Sequence, residues 1–336
     1  MKSGEQAFIY AKACGIIGHS FIDKNLGFLR GINHLSDLDK LVFPNAHQEL
    51  PDKQLLRDFE DRVTQQAIKQ ITAMVNLFHK IPDLLIQLIR SYECADLKTV
   101  LSAHIHGEKT MPDFTDIGRF RTIKFEAYPD LITMLKGTDF EFLLDNDLLS
   151  GVKDNAIDIQ MFIDHHYYKM LLASVKKLNK KDRRHIEMLL REEIILHNII
   201  WALRLRTYYR LSPEAVRSKL ITIPEDDSLE RDVLISLSFS LQNRSDWKGW
   251  KYEYFLNPEY SDRQWEADPR HVQNKVAIYL HRHIHKFFHG NPFSFDTAFC
   301  FIKLKQYEED ILTSIAEGLG LGLSSTDVFS LIEVPV

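Results

Sequence analysis

The sequence predicts an all-α protein, and three observations carry that expectation. Apolar residues recur at helical spacing through most of the chain, and sustained period-two alternation is nearly absent. Glycine (14) and proline (11) are sparse for 336 residues, so few segments are dominated by turns. One polar-apolar signature also returns three times, about a hundred residues apart. It reads Tyr92-Glu93-Cys94-Ala95-Asp96-Leu97, then His197-Asn198-Ile199, then Tyr307-Glu308-Glu309-Asp310-Ile311. Each time Asp96, Asn198 or Asp310 precedes an aliphatic residue, and a second aliphatic follows four positions later (Leu97/Leu101, Ile199/Leu203, Ile311/Ile315). That spacing places both aliphatics on one helix face. Self-similarity at fixed spacing marks an architecture built from copies of one unit.

The second and third copies align without a gap at an offset of 112 residues, from Leu211-Ser212 to Leu323-Ser324 and from Val216 to Val328. Both put a serine N-cap before a short final helix. Ser212 is followed by Pro213 at the first helical position, where a missing N–H costs nothing. Ser324 has Asp327 three residues on, the spacing of a capping box. The expected architecture is therefore three similar helical domains, residues 1–118, 119–228 and 229–336, related by a pseudo-threefold repeat of layered helix pairs.

In chain order, residues 5–22 read as a helix and 24–50 as irregular or shortly helical. A long helical pattern fills 54–80, and Pro82 opens another that Gly107 stops after Ile105. Residues 107–125 hold Pro112 and Gly118 and read as a connection; the weak alternation from Phe120 to Phe125 suits a short strand pair. Helices are expected at 153–178, 181–209, 213–221 and 229–241. The stretch 243–269, with Trp247, Trp250, Trp265, Pro258 and Pro269, reads as an ordered connector. Helices at 270–289, 294–317 and 324–332 complete the chain.

Composition sets bounds on function. A chain 45% apolar and 26% charged can fill two or three helical cores. Its net charge of −5 gives no reason to expect nucleic-acid binding. Cys14, Cys94 and Cys300 form neither a disulfide framework nor a Cys-x-x-Cys site, which suits a reducing compartment. The longest apolar run, Ile194 to Leu203, is broken by His197 and Asn198, so no spanning helix is expected, and the N-terminus lacks a signal core. A cytoplasmic protein is expected, one able to sit on a membrane-embedded partner.

Chemical motifs are few. There is no Gly-Lys pair, hence no phosphate-cradling loop, and no Gly-x-Ser-x-Gly elbow. Gly318, Gly320 and Gly322 end a helix and read as a C-cap. His281, His285 and His289 share a helix face. Zinc would need a third ligand from elsewhere, such as Asp296 or Glu308, so a solvated or partner-facing stripe is the plainer reading. His165 and His166 read as packed, hydrogen-bonded residues, and Glu225, Asp226 and Asp227 as a solvated acid cluster. Lys176, Lys177, Lys180, Lys181, Arg183 and Arg184 make a dense basic turn, and Arg204, Arg206 and Arg210 a basic helix end. With His281 and His285 these are the candidate partner contacts: docking to an acidic partner or to anionic headgroups, against a solvated turn and a complement to the helix dipole. The residues expected to be structural are Asp96, Asn198, Asp310, Ser212 and Ser324.

At several of these positions the chain resembles the C-type central-stalk family of the V/A-type rotary ATPases, which includes the d-type chain of the vacuolar enzyme. Phe8-Ile9-Tyr10-Ala11-Lys12-Ala13 is similar to its tyrosine-alanine first helix. His197 to Arg204 followed by Leu211-Ser212-Pro213-Glu214 is similar to its central helix and Ser-Pro-Glu turn. Asn291-Pro292-Phe293-Ser294, with Glu308 and Asp310 downstream, is similar to its closing unit. The chain departs from the pattern at Asp96 and Asp310, where asparagine is often expected, and at Cys14-Gly15 in place of basic residues. The resemblance implies three helical domains arranged as a funnel on the cytoplasmic face of the membrane rotor. Its implied partners are the proteolipid ring and the D/F-type central-shaft subunits. It implies neither a catalytic residue nor a cofactor, and contact with the membrane only through partners. The alternatives are a metal-dependent helical hydrolase using the His281-His285-His289 face, and a helical scaffold unrelated to ATPases.

Overall fold

The computed structural model describes residues 3–45, 50–145, 156–223, 227–259, 262 and 264–332. The protein is all-α, and no β-strand element occurs among the described residues. The chain packs as two compact units. The first combines Met1–Lys80 with Tyr252–Val336, and the second is Ile81–Lys251, so the second is inserted in the first.

In the first unit the helices are α1 (Ser3–Ile17), α2 (Leu35–Val42), α3 (Asp52–Val75), α10 (Pro269–Phe288), α11 (Asp296–Gly320) and α12 (Ser325–Leu331). Helix α11 is central and packs against α1, α2, α3, α10 and α12. Its signature aliphatics Ile311 and Ile315 join Leu312, Ala316 and Leu319 in one stripe, which meets Leu55, Phe59 and Val63 of α3 in a buried cluster. Burying each such side chain contributes about 1.5–3 kcal/mol. Pro269 opens α10 behind Asp268, whose carboxylate accepts the Arg270 N–H at 2.9 Å. Helix α11 ends where Gly322 takes φ 82°; Gly322 N–H reaches Leu319 O and Leu323 N–H reaches Gly318 O, both at 3.0 Å. That pair of bonds is a Schellman closure. Gly318 serves packing instead: a Cβ there would lie 2.2 Å from Val328 Cγ2. Ser324 forms the expected capping box with Asp327. A buried ion pair between Lys305 and Glu308 sits beside the turn after α1, where Glu308 accepts the Phe21 N–H at 2.6 Å.

The second unit holds α4 (Asp83–Ile105), α5 (Leu131–Leu135), α6 (Ala156–Lys176), α7 (Lys180–Thr207), α8 (Pro213–Arg217) and α9 (Arg231–Ser236). Helix α6 packs on α4 and α7, and α7 carries α8 and α9. The signature aliphatics Leu97, Leu101, Ile199 and Leu203 are all buried. Between α4 and α5 the chain forms 3-10 turns at Gly118–Phe120 and Phe125–Ala127 in place of the strand pair expected over Phe120 to Phe125. The reason is local. Buried Glu93 accepts the N–H groups of Thr122 (2.5 Å) and Ile123 (2.6 Å), donors a ladder would need. Asp96 accepts the Thr115 N–H at 2.8 Å and its hydroxyl at 3.1 Å. The helix expected at 229–241 closes at Ser236. The Ser236 and Ser238 hydroxyls donate back to Val233 O and Ile235 O, and Arg206 takes the carbonyls of Ser236 and Phe239. Ser212 caps α8 by accepting the Ala215 N–H at 3.3 Å. The described residues of the tryptophan connector are tied by indole hydrogen bonds. In the second unit Trp247 and Trp250 donate to Ser240 O and Asp232 O. In the first, Trp265 donates to Asn257 O.

Asn198 is the buried hinge pin of the second unit. Its Oδ1 accepts the Ile221 N–H at 2.8 Å, and its Nδ2 donates to Ile221 O (2.9 Å) and Leu229 O (3.3 Å). Asn198→Ala leaves these groups buried without that partner, a cost of about 2–3 kcal/mol. The expected result is a lower guanidinium midpoint at unchanged slope for the transition of the second unit; an unchanged midpoint would contradict the pinning role.

Candidate functional site

The basic turn lies between α6 and α7, capped by Asn179, whose Oδ1 accepts the N–H groups of Lys181 and Asp182. Lys176, Lys177, Lys180, Lys181 and Arg184 are exposed and Arg183 is half-buried. Lys177 pairs with Asp83 at 2.5 Å, and Arg183 with Glu187 at 3.5 Å. Lys180, Arg183 and Arg184 continue into a cleft of about 540 Å³ along α7, lined also by Met188, Arg191 and Ile195. Met188 is half exposed in it. The other basic segment divides. Arg206 is occupied by Ser236 O (3.1 Å) and Phe239 O (2.6 Å). Arg204 is half-buried, and Arg210, at φ 55°, is exposed.

The histidine face of α10 is buried at His281, half-buried at His285 and exposed at His289. His281 is buried, stacks on Tyr307 with ring centroids 4.1 Å apart, and shares Asp23 with His285, through Nε2 contacts of 2.9 and 3.2 Å. His289 Nδ1 meets the Tyr10 hydroxyl at 3.2 Å. Burial alone would raise the Asp23 carboxyl, but the His281 hydrogen bond and the three imidazole charges outweigh it, and the group sits below the ordinary aspartate value. The stripe is thus a clasp between the start of the chain and α10. Among the described residues no group of three His, Cys, Asp or Glu side chains could hold a metal ion. His165 and His166 are pushed down chiefly by burial, and His166 packs on Phe140 and Phe142. Glu225 and Asp226 of the acid cluster lie outside the described residues.

The site that spacing alone did not single out is an acidic cleft in the first unit. Helices α3, α10 and α11 and the end of α12 enclose about 540 Å³, lined by Glu60, Glu309, Asp310 and Glu317 among hydroxyls, amides and the aliphatics Ile278 and Ile311. Glu309 accepts the Thr64 hydroxyl at 2.6 Å. Asp310 is reached by water through the cleft, yet protein crowds round it. Although its side chain is exposed along the cleft, the partial desolvation by the surrounding protein, with Glu309 beside it and against the charge of Lys303, pushes its carboxyl up to about 7. Burial and the charges of Glu317 and Asp61 raise Glu60 as well. The sequence did hold one signal. Glu309, Asp310, Thr313, Ser314 and Glu317 form a polar stripe at helical spacing, opposite the aliphatic stripe of α11. Glu60, from a helix some 250 residues earlier, carried none.

Because Asp310 holds its proton more tightly folded than unfolded, the folded state loses stability as pH rises from about 4 to about 7. Asp310→Asn is therefore expected to melt higher than the wild type at pH 8. The gain is about 1 kcal/mol once discounted for solvent access, and it closes near pH 4. Scanning calorimetry across that range checks it; equal melting at pH 8 would remove the carboxylate strain.

The family of the ATP synthase (C/AC39) subunit matches residues 43–328. An uncharacterized protein of Treponema pallidum (strain Nichols) is 25% identical over 326 residues, covering 95% of this chain and 94% of its own. No helix among the described residues is long and apolar enough to cross a membrane. With the family match spanning most of both units, the chain belongs to the ATP synthase (C/AC39) subunit family, the C-type and vacuolar d-type family of the V/A-type ATPases.

Proposed function

We propose that the protein is a non-catalytic central-stalk subunit of a V/A-type ATPase or ATP synthase. It links the central shaft to the membrane proteolipid ring and passes torque between them. Family membership over residues 43–328 is the observation that carries this reading. The packing supports it. Force transmission needs parts that do not yield, and close-packed helices with individually tied connections have low compressibility. On this reading the protein lies peripherally on the cytoplasmic face, touching the membrane only through its partners. The stretches 1–118, 119–228 and 229–336 are then copies of one ancestral helical unit. The basic turn at Lys176, Lys177, Lys180, Lys181, Arg183 and Arg184 is proposed to contact an acidic surface of the assembly, with exposed Arg210 as a further candidate.

The test is a mild-detergent pull-down of the full chain from its native host, with mass spectrometry of what accompanies it. Ring and shaft subunits in fixed stoichiometry are expected, and recovery of the chain alone would sink the reading. In the same experiment Lys180→Glu with Arg184→Glu should lower the recovered partners several-fold; undiminished recovery would take the basic turn out of the interface.

A further inference from the structure

Helix α7 begins against the electrostatics of its own end. The N-terminal pole of a helix carries partial positive charge and favours acids. The opening run Lys180-Lys181-Asp182-Arg183-Arg184 instead holds four cations and one acid. Asp182 is turned back to the cap, where it accepts from the Asn179 amide at 2.5 Å. Arg183 is met by Glu187. Lys180 and Arg184 are exposed and form no ion pair with a described residue. Like charges gathered at the unfavourable pole oppose folding, and no hydrogen bond within the unit makes use of these two. A local rule broken without a compensating contact points to a surface with a task outside the fold.

The same face continues as a groove. Lys180, Arg184, Met188 and Ile195 follow one another at helical spacing and share one side of α7, beside the cleft of about 540 Å³. From Lys180 to Ile195 that side spans about 22 Å. Its N-terminal end is cationic. Beyond it Met188 stands 51% exposed, Arg191 is held by the Ser228 hydroxyl, and Ile195 lies buried at the far end. A methionine thioether adapts to whatever packs on it. A run of acids alone would meet the cations and leave Met188 wet, and an apolar helix would leave Lys180 and Arg184 unpaired. Charge complementarity at one end and apolar cover along the rest fit a helix laid in the groove, with its anchors three and four residues apart. We propose that this face of α7 seats an acidic amphipathic helix of a partner protein, its carboxylates on Lys180 and Arg184 and an apolar residue on Met188. The inference rests on the basic turn being an interface and adds the chemistry of what docks there.

The test titrates the full chain into two fluorescein-labelled peptides of the same composition, each about five helical turns long, read by fluorescence anisotropy at neutral pH and fixed ionic strength. In the first, leucines recur on one helix face and glutamates fill the first two turns; in the second, the same residues are shuffled so that the leucines share no face. Saturable binding of the first is expected, with the second at least about ten-fold weaker. Lys180→Glu with Arg184→Glu, and separately Met188→Asp, should each weaken the first peptide about ten-fold. The control Lys24→Glu with Lys53→Glu reverses two exposed lysines of the first unit and should change binding by less than about two-fold. Melting curves establish that each variant is folded, and Met188→Asp carries the test if the double variant fails that check. The proposal is overturned if the first peptide does not bind, if both peptides bind alike, if the α7 variants bind as the wild type does, or if the control loses as much. Displacement of the peptide by phosphatidylglycerol vesicles would also overturn it, because it would assign the face to a membrane. Ring and shaft subunits recovered from the native host without peptide binding would sink this inference alone; peptide binding by a chain recovered alone would sink only the rotary reading.

Discussion

The architecture depends on how buried, irregular backbone finds hydrogen-bond acceptors. The described connections after α1, α4 and α8 run over helices, and N–H groups in them sit where no ladder or helix can take them. Carboxylates and an amide on the signature helices supply the missing partners. Glu93 and Asp96 hold the connection after α4, Asn198 the one after α8, and Glu308 the turn after α1. The first two signature helices thus work on two faces, their aliphatics closing the core and Asp96 or Asn198 fixing a following stretch of chain; on α11 the tie comes from Glu308 and reaches back to Phe21. The chemistry explains the identities. Asn198 must both accept from Ile221 and donate to two carbonyls, which only an amide can do. Both of Asp96's bonds come from donors on Thr115, which an acid satisfies fully. The departure from asparagine at Asp96 is therefore matched to its partners.

What could be read in advance follows from the range of the forces involved. The caps at Ser212 and Ser324 involve residues three apart, and both stand as the sequence indicates. The long helices follow from apolar periodicity, and their termini move by only a few residues. Long-range competition is invisible locally. Arg206 reaches across some thirty residues to take carbonyls beyond Ser236, and Glu93 reaches a similar distance to take the donors of Thr122 and Ile123. The histidine face of α10 shows the same limit. Its spacing is plain, but the residue that claims it, Asp23, is 258 positions away. The acidic cleft was half legible, as a polar stripe on α11, while the opposing Glu60 could not be assigned to it without the packing of α3 on α11.

Family membership and packing meet in a division of labour between the faces of single helices. On α11, Ile311, Leu312, Ile315, Ala316 and Leu319 hold the core together, while the intervening Asp310, Thr313, Ser314 and Glu317 line the acidic cleft. On α7 the buried run from Ile194 to Leu203 is likewise followed, toward the N-terminus, by a basic and partly apolar face.

The insertion of one unit within the other also bears on how the protein is made. The apolar face of α3, with Leu55, Phe59 and Val63, has its native cover on α11, which is synthesised only after the whole of the second unit. At ordinary translation rates that is an interval of roughly tens of seconds. During it the second unit can complete its core on the ribosome, whereas α3 waits as an amphipathic helix without its mate. The nascent chain thus passes through a stage that invites chaperone capture, and its first-made helices are among the last to be folded.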